Sequence, residues 1–102
     1  MSNELTLNPS GTDGCSPDQD PWGPRRGRRV KIHNHSGHPQ TLSDIQNGCL
    51  TKAGGPVTSI NLGKDETWEG RAGAAGSRGT YQYNDGSRSP TLDMRTGTID
   101  PS

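Results

Sequence analysis

The sequence predicts an all-β fold, a small Greek-key β-sandwich preceded by an irregular N-terminal leader. Three observations indicate this fold: short stretches of alternating apolar and polar residues, frequent Gly, Pro and Asn between them, and no segment with a helical period. The chain has 102 residues, including 15 Gly and 8 Pro, and only 24% of its residues are hydrophobic. Such a composition predicts at most one domain with a thin core, in which part of the chain is loop or tail.

Residues 1–28 are predicted to form the leader, which is acidic, rich in Pro and Gly, and ends in a basic cluster. Proline lacks the N–H that a β-ladder needs, and glycine adds chain entropy, so regular structure is disfavoured here. Leu5 and Leu7 form the strand-like pair of this segment, which could add to a sheet edge. Trp22 is expected to anchor the leader on the domain.

Residues 29–102 are predicted to form the sandwich domain itself. Its first firm strand covers residues 29–34, where Val30 and Ile32 alternate with polar and charged residues. A short second strand is expected at residues 40–42. This alternation predicts that one face of the first strand is buried and the other is exposed.

The second half of the domain carries four further strand signals. The clearest strand is predicted at residues 57–62, and residues 66–69 are expected to return as its hairpin partner. Residues 70–76 are too small for a core and too rich in Gly for a stable helix, so they are predicted to form a crossover loop. Two last strands are expected at residues 79–83 and 95–99.

Several classes of protein are disfavoured by what the sequence lacks. No apolar run approaches the roughly 18 residues of a membrane span, and the first residues do not resemble a secretory signal. The compartment therefore stays open, with the cytoplasm as the default, and membrane binding is not expected. Neither a phosphate-binding glycine loop nor a G-x-S-x-G motif is present, so an enzyme is not predicted.

A basic cluster leads into the first strand and is the candidate contact for an anionic partner. The alternative is a solvated strand entry whose charges discourage pairing between sheet edges. Nucleic acid is disfavoured as the partner, because the chain has a formal net charge of zero and offers no aromatic platform nearby for stacking bases. The residues of this cluster are Arg25, Arg26, Arg28, Arg29 and Lys31.

The two cysteines, Cys15 and Cys49, are too few for a disulfide framework. One bridge between them would tie the leader to the domain. Two free thiols are the alternative, and the redox state of the compartment decides between them.

Three histidines, His33, His35 and His38, occur within six residues. Imidazoles at this spacing could bind Cu(II), Ni(II) or Zn(II). The alternative is that they are solvated residues at a strand edge, in the same outward row as Arg29 and Lys31, whose positive charges disfavour a bound cation.

Four segments follow one another in an order that carries a family resemblance. They are Val30-Lys-Ile-His-Asn-His-Ser-Gly37 with Gln40-Thr-Leu42, Ile60-Asn-Leu-Gly-Lys-Asp-Glu-Thr-Trp68, Gly79-Thr-Tyr-Gln-Tyr83, and Met94-Arg-Thr-Gly-Thr-Ile99. Together they resemble the cupredoxins, the blue-copper fold, over about residues 28–101. The resemblance implies a cupredoxin-like sandwich.

The copper site of that family is degenerate in this sequence. A blue-copper site needs two imidazoles and a thiolate with a weak axial thioether. Gln40, with His38 nearby, stands where the resemblance implies the first histidine, and residues 84–89 contain neither Cys nor His. Met94 alone falls where a ligand belongs, and it is interpreted as a core residue rather than as a ligand.

These observations predict a non-catalytic binding or structural module without a cofactor. Its partner would be an unidentified protein or further copies of the chain, as in a subunit of a larger assembly. One alternative is a copper-binding or electron-transfer protein with an unconventional site. The ligands of that site would be His33, His35 and His38, with Met94 or Cys49.

A second alternative is a lipid-binding β-sandwich. The runs Ile45-Gln-Asn-Gly-Cys-Leu50 and Gly79-Thr-Tyr-Gln-Tyr83 are also similar to the aegerolysins, which are longer and richer in tryptophan.

Overall fold

The computed structural model describes residues 2–74, 78–87 and 94–102, and these form ten strands and no helix. The all-β prediction is therefore confirmed. In the same described residues, nothing helical is long and apolar enough to cross a membrane. In chain order the strands are β1 (Glu4–Ser10), β2 (Gly14–Pro17), β3 (Arg29–Asn34), β4 (Gln40–Leu42), β5 (Leu50–Lys52), β6 (Gly55–Pro56), β7 (Ile60–Leu62), β8 (Thr67–Ala72), β9 (Gly79–Asn84) and β10 (Met94–Ile99).

The first layer of the fold is a six-stranded sheet in the order β2-β1-β3-β8-β5-β6. Strands β1 and β3 run parallel, and the other neighbours are antiparallel. The central position of β3 and β8 follows from their length and their alternation. Each has six residues, and exposed residues alternate with buried ones in β3 and mainly with partly buried ones in β8.

The second layer consists of the strand pairs β9–β10 and β4–β7. An isolated bridge between Ser43 and Gln82 joins these pairs along the end of β4. A second bridge, between Trp22 and Ile99, adds the N-terminal segment beside β10. The two layers give the sandwich-like arrangement that the sequence predicts.

One apolar cluster fills the space between the layers, and the Cα radius of gyration is 12.6 Å. The first layer contributes Leu5, Leu7, Cys15, Val30, Ile32, Leu50 and Ala72, and the second contributes Leu42, Ile60, Leu62, Tyr81, Tyr83 and Ile99. Trp22 is completely buried in the same cluster, and its Nε1 donates to the Ser2 carbonyl at 2.8 Å. The prediction that Trp22 anchors the N-terminal segment is confirmed.

The N-terminal segment differs from the predicted irregular leader. Residues 4–10 and 14–17 are strands of the main sheet, and β1 lies inside that sheet between β2 and β3. Pro9 is tolerated because β1 pairs with β3 only from Glu4 to Leu7, so no ladder bond to β3 is needed at Pro9. Leu5, Leu7, Cys15 and Trp22 of this segment therefore share one core with the strands that follow, instead of preceding a separate domain.

Strand β8 also differs from its prediction. It was expected to end at residue 69 and to form a hairpin with β7, but it continues to Ala72 and pairs with β3 and β5. Strand β7 instead pairs with β4 in the other layer, and its predicted first residues, 57–59, lie outside it. Arg71 consequently lies in a strand rather than in the predicted crossover loop.

The remaining strand predictions are close to the structure. Strand β3 coincides with the predicted residues 29–34, and β4 with residues 40–42. Strands β9 and β10 each extend one residue beyond the predicted ranges. These segments were predictable because their alternating pattern matches a sheet with one buried face.

A buried side-chain amide fixes the corner after β3. Asn34 is completely buried, and its Nδ2 contacts the carbonyl oxygens of His38, Leu62 and Gly63 at 2.8, 3.3 and 3.0 Å. Its Oδ1 accepts from the backbone N–H of Ser36 at 3.1 Å. The amide thus connects the end of β3 to the turn that follows β7.

Two further polar side chains extend this buried cluster. Gln40 Nε2 donates to Ser36 Oγ at 2.9 Å and to the Asp13 carbonyl at 3.0 Å. Ser36 Oγ also lies 2.6 Å from Asn34 Oδ1. The cluster therefore ties the β3–β4 corner to the turn between β1 and β2.

Candidate functional site

A groove crosses the main sheet where β3, β8 and β5 run side by side. Its volume is about 710 Å³, and the turn between β5 and β6 forms part of its lining. The lining residues are Arg29, Val30, Lys31, Thr51, Lys52, Ala53, Gly54, Glu69, Gly70 and Arg71.

The ionisable side chains of the groove are four cations and one carboxylate. Lys31 Nζ lies 3.5 Å from Glu69 Oε1, so this pair largely neutralises itself. Both side chains are at least half exposed, and the pair therefore contributes little to stability. The charges that remain uncompensated are those of Arg29, Arg71 and Lys52.

Strand pairing places two of these cations face to face. Arg29 on β3 and Arg71 on β8 are direct partners in the antiparallel register, on the row that alternates with buried Val30. Like charges directly opposite one another on a sheet destabilise it. The opposed arginines therefore favour binding of an anion between them.

Two of the cations are held in place by neighbouring groups. Arg71 Nη1 donates to the Gly27 carbonyl at 2.9 Å. Lys52 Nζ donates to the Glu69 carbonyl at 3.0 Å and lies 5.4 Å from the centroid of the Trp68 ring. Both contacts occupy only part of each cationic group, so other N–H donors stay available.

Glycine at position 70 is required for the packing of Trp68. A side chain built at Gly70 would overlap the indole ring of Trp68, which lies along the same strand two residues away. The half-buried ring can therefore lie flat across β8 and face Lys52 Nζ.

The predicted basic cluster divides into two parts. Arg29 and Lys31 line the groove, as a contact for an anionic partner would require. Arg25, Arg26 and Arg28 are exposed outside the lining, in a turn in which the Arg28 N–H donates to the Arg25 carbonyl at 3.2 Å.

Sequence reasoning missed Lys52 and Arg71, which complete the groove. Both come from segments interpreted as loops, and they approach Arg29 only through the long-range pairing of β8 with β3 and β5. The alternation of Trp68, Gly70 and Ala72 with Glu69 and Arg71 was the signal that could have extended β8 and placed Arg71 on the exposed row.

The predicted histidine site is not brought together as a metal centre. Both ring nitrogens of His33 are engaged, Nδ1 with Thr67 Oγ1 at 3.0 Å and Nε2 with Glu4 Oε1 at 2.6 Å. The rings of His33 and His35 are 5.8 Å apart, and His38 is exposed on the following turn. Across residues 2–74, 78–87 and 94–102, no group of three or more His, Cys, Asp or Glu residues is arranged to hold a metal ion.

Met94, the fourth predicted ligand, lies at the start of β10 and is 48% exposed. Its interpretation as a core residue is therefore wrong. The side chain is not needed to fill the core here, since Gly97 and Ile99 form the buried row of the strand.

The positions that correspond to copper ligands do not fit a copper ion. Gln40 is buried and bonded to Ser36 and Asp13, and Asn84 accepts from the Gly86 N–H at 2.8 Å. Neither residue offers a thiolate or an imidazole, which a blue-copper centre requires. Arg88 and Ser89, at the place of the second histidine, lie outside the described residues.

Both cysteines are free thiols and are completely buried, so the alternative of a bridge between Cys15 and Cys49 is not borne out. The two thiols occupy different places in the core. Burial, with the nearby charge of Asp85, raises the pKa of Cys15 to about 11. Burial also raises the pKa of Cys49, which packs against Gly79. At neutral pH both groups are protonated, a state that disfavours metal ligation.

A scan of the sequence against protein-family models finds no match. A search of curated proteins finds no significant match either.

Proposed function

We propose that this protein is a non-catalytic binding module and that its basic groove binds an acidic segment of a partner protein. One observation carries the proposal: four cationic side chains and one carboxylate line a single groove, on a chain whose formal net charge is zero. Cations concentrated on one side of a concave surface raise the local concentration of anionic ligands and orient them as they approach.

The composition of the lining favours acidic peptide over nucleic acid. Proteins that bind single-stranded nucleic acid commonly stack the bases on exposed aromatic rings. Among the described residues that line the groove none is aromatic, and the nearby Trp68 ring is half-buried and faces Lys52. Carboxylates need only the guanidinium and ammonium donors that the groove provides.

The proposed scaffold is a cupredoxin-like sandwich without a type 1 copper site. The strands β3, β4, β9 and β10 support this proposal, because they coincide with most of the segments that carry the resemblance. The side chains at the ligand positions also support it, since Gln40 and Asn84 make structural hydrogen bonds. Binding in the groove requires no metal.

The proposal is tested by fluorescence anisotropy with a labelled peptide of ten glutamates. Two double variants with the same loss of charge are compared: Arg29→Gln with Arg71→Gln inside the groove, and Arg25→Gln with Arg26→Gln outside it. The groove variant is expected to weaken binding about tenfold or more, because it removes charge-assisted hydrogen bonds as well as attraction. The outer variant is expected to lose less than about threefold, since exposed charges at a distance are screened.

Two results would contradict the proposal. One is an equal loss of affinity in both double variants, which would mean that overall charge and not the groove attracts the peptide. The other is no binding to the wild-type protein even at low salt.

A further inference from the structure

We propose that Arg29 and Arg71 form a subsite for a phosphate monoester carried by the ligand of the groove. This inference rests on the proposed function, and it specifies the chemistry of the group that the groove selects. It begins from the register of the sheet, which makes the two arginines direct partners across β3 and β8. Cβ atoms in such positions are about 4.5–5.5 Å apart, so both guanidinium groups can reach one anion.

The charges around the subsite select a dianion. Lys31 is paired with Glu69 and adds little net charge. Arg29 and Arg71 remain, and together they exceed the single charge of a carboxylate or a sulfate ester. A phosphate monoester carries about −1.5 to −2 at neutral pH, which matches two opposed guanidinium groups more closely.

The state of each arginine also fits this role. Arg71 is fixed by one bond from Nη1 to the Gly27 carbonyl, which leaves its other N–H donors unused by that contact. Within the described part of the chain, no hydrogen bond or ion pair engages the Arg29 guanidinium. One guanidinium is thus held in place and the other is available to close on the ligand, and the planar forks of both match phosphate oxygens.

Lys52 lines the groove outside the subsite, since Thr51 and not Lys52 is the register partner of Arg71. Its ammonium group is held by the Glu69 carbonyl and by the Trp68 ring, at the edge of the groove nearest to β5. An ammonium acts on phosphate as a point charge without a geometric preference. Lys52 therefore adds general attraction for an anionic ligand along the groove, whereas the two arginines determine selectivity.

The test uses glutamate-rich peptides that differ at one central position, which is phosphoserine, serine sulfate or serine. Binding is measured by isothermal titration calorimetry to the wild-type protein and to three variants. These are Arg29→Gln, Arg29→Lys and, as the matched control outside the groove, Arg26→Gln. Arg29 is the residue changed because its guanidinium makes no hydrogen bond or ion pair with the described residues. Thermal melting by circular dichroism checks that each variant folds.

The wild-type protein is expected to bind the phosphoserine peptide about tenfold or more tightly than the serine peptide, because the dianion makes bidentate charge-assisted bonds. The sulfate peptide should lie between the two. Arg29→Gln should abolish the preference and Arg26→Gln should preserve it. Arg29→Lys should reduce it severalfold, since a lysine keeps the charge but not the fork.

Inorganic phosphate distinguishes the source of the group. If millimolar phosphate displaces the phosphopeptide but binds more weakly than the peptide does, the subsite exists and its ligand is a phosphorylated partner. If inorganic phosphate binds as tightly as the phosphopeptide, the subsite exists and its ligand is free phosphate. Equal binding of all three peptides, or a preference that survives Arg29→Gln, would overturn the subsite. If the serine peptide still binds in the groove, the subsite fails while the proposed function stands; if no peptide binds, both fail.

Discussion

The buried side chain of Asn34 joins the corner after β3 to the end of β7. Its amide contacts three carbonyl oxygens and one backbone N–H, and it has no exposure to solvent. A buried polar group that loses its partner costs about 1–3 kcal/mol, and several such groups depend on this amide. The residue is therefore expected to determine stability, not binding.

Replacing Asn34 with alanine is expected to lower the free energy of unfolding by about 3 kcal/mol, because buried carbonyl groups are left without donors. Asn34→Asp should be at least as damaging, since it places a carboxylate against the carbonyls of Leu62 and Gly63. Urea unfolding measures both effects. Asn61→Ala is the control, because the exposed Asn61 side chain accepts one exposed hydrogen bond from Thr41 Oγ1. A loss in Asn34→Ala no larger than in this control would contradict the account.

Tyr81 presents the opposite case, a buried hydroxyl with no hydrogen-bond partner among the described residues. Burial, together with the charge of Asp20, raises its pKa well above the usual value. The unfolded chain releases this proton near pH 10, whereas the folded chain retains it, so stability is complete below about pH 10 and falls as the pH rises further.

Tyr81→Phe is expected to be neutral at pH 7 or to stabilise the protein by up to about 1 kcal/mol, because it removes an unsatisfied buried group. By pH 11 the variant should be more stable than the wild type by about a further 1 kcal/mol, since it no longer loses stability through this ionisation. Urea unfolding at pH 7, 9 and 11 tests both statements. Tyr83 and Cys15 titrate in both proteins, so their effects on the free energy of unfolding cancel when the variant is compared with the wild type. If the two proteins lose stability in parallel as the pH rises, the assignment to Tyr81 is refuted.

Among the predicted site residues, those that could be recognised were the ones adjacent in sequence. Arg29 and Lys31 stand out as a local run of charge, and both line the groove. Lys52 and Arg71 could not be recognised in this way, because pairing between distant strands brings them to the same place. The histidine run was equally conspicuous, yet the partners of His33 are a strand carboxylate and a threonine, which no local pattern reveals.

At the scale of single elements, alternation predicted β3, β4, β9 and β10 well, and composition misled elsewhere. Proline and glycine made the N-terminal segment look irregular, but its turn uses Gly11 at a φ of +62°, a conformation that glycine adopts readily. The predicted strand ends at residue 69, three residues before β8 does, because Gly70 and Ala72 are too small to indicate a row of side chains that faces the core. In both cases the packing partner, not the local sequence, determines the strand.

The position of β1 inside the main sheet leads to a prediction about that element. Leu7→Ala is expected to lower the free energy of unfolding by about 2–5 kcal/mol, since Leu7 is completely buried and its loss leaves a cavity. Asn8→Ala, on the exposed neighbouring position, should change it by less than about 0.5 kcal/mol. Chemical unfolding of the two variants decides; similar small effects would mean that residues 4–10 are a dispensable leader after all.

At the scale of the whole molecule, a formal net charge of zero conceals an uneven distribution of charge. Acidic residues of the N-terminal segment serve the backbone: Asp18 accepts from the Thr6 N–H, and Asp20 from the Thr98 N–H, each at 3.0 Å. Among the described residues, the cations of the groove have fewer structural contacts: Arg71 and Lys52 each donate to one carbonyl, Lys31 pairs with Glu69, and Arg29 has none of these contacts. This separation of roles is the physical basis for expecting an anionic partner.

Amide shift mapping by solution NMR tests the groove as the binding surface most directly. The ¹⁵N-labelled protein is titrated with the glutamate peptide, and the changes are plotted along the chain. The account predicts that the largest changes fall at residues 29–31, 51–54 and 69–71. Changes confined to residues 25–28 or to the turn at residues 35–38, or none at all under binding conditions, would contradict it.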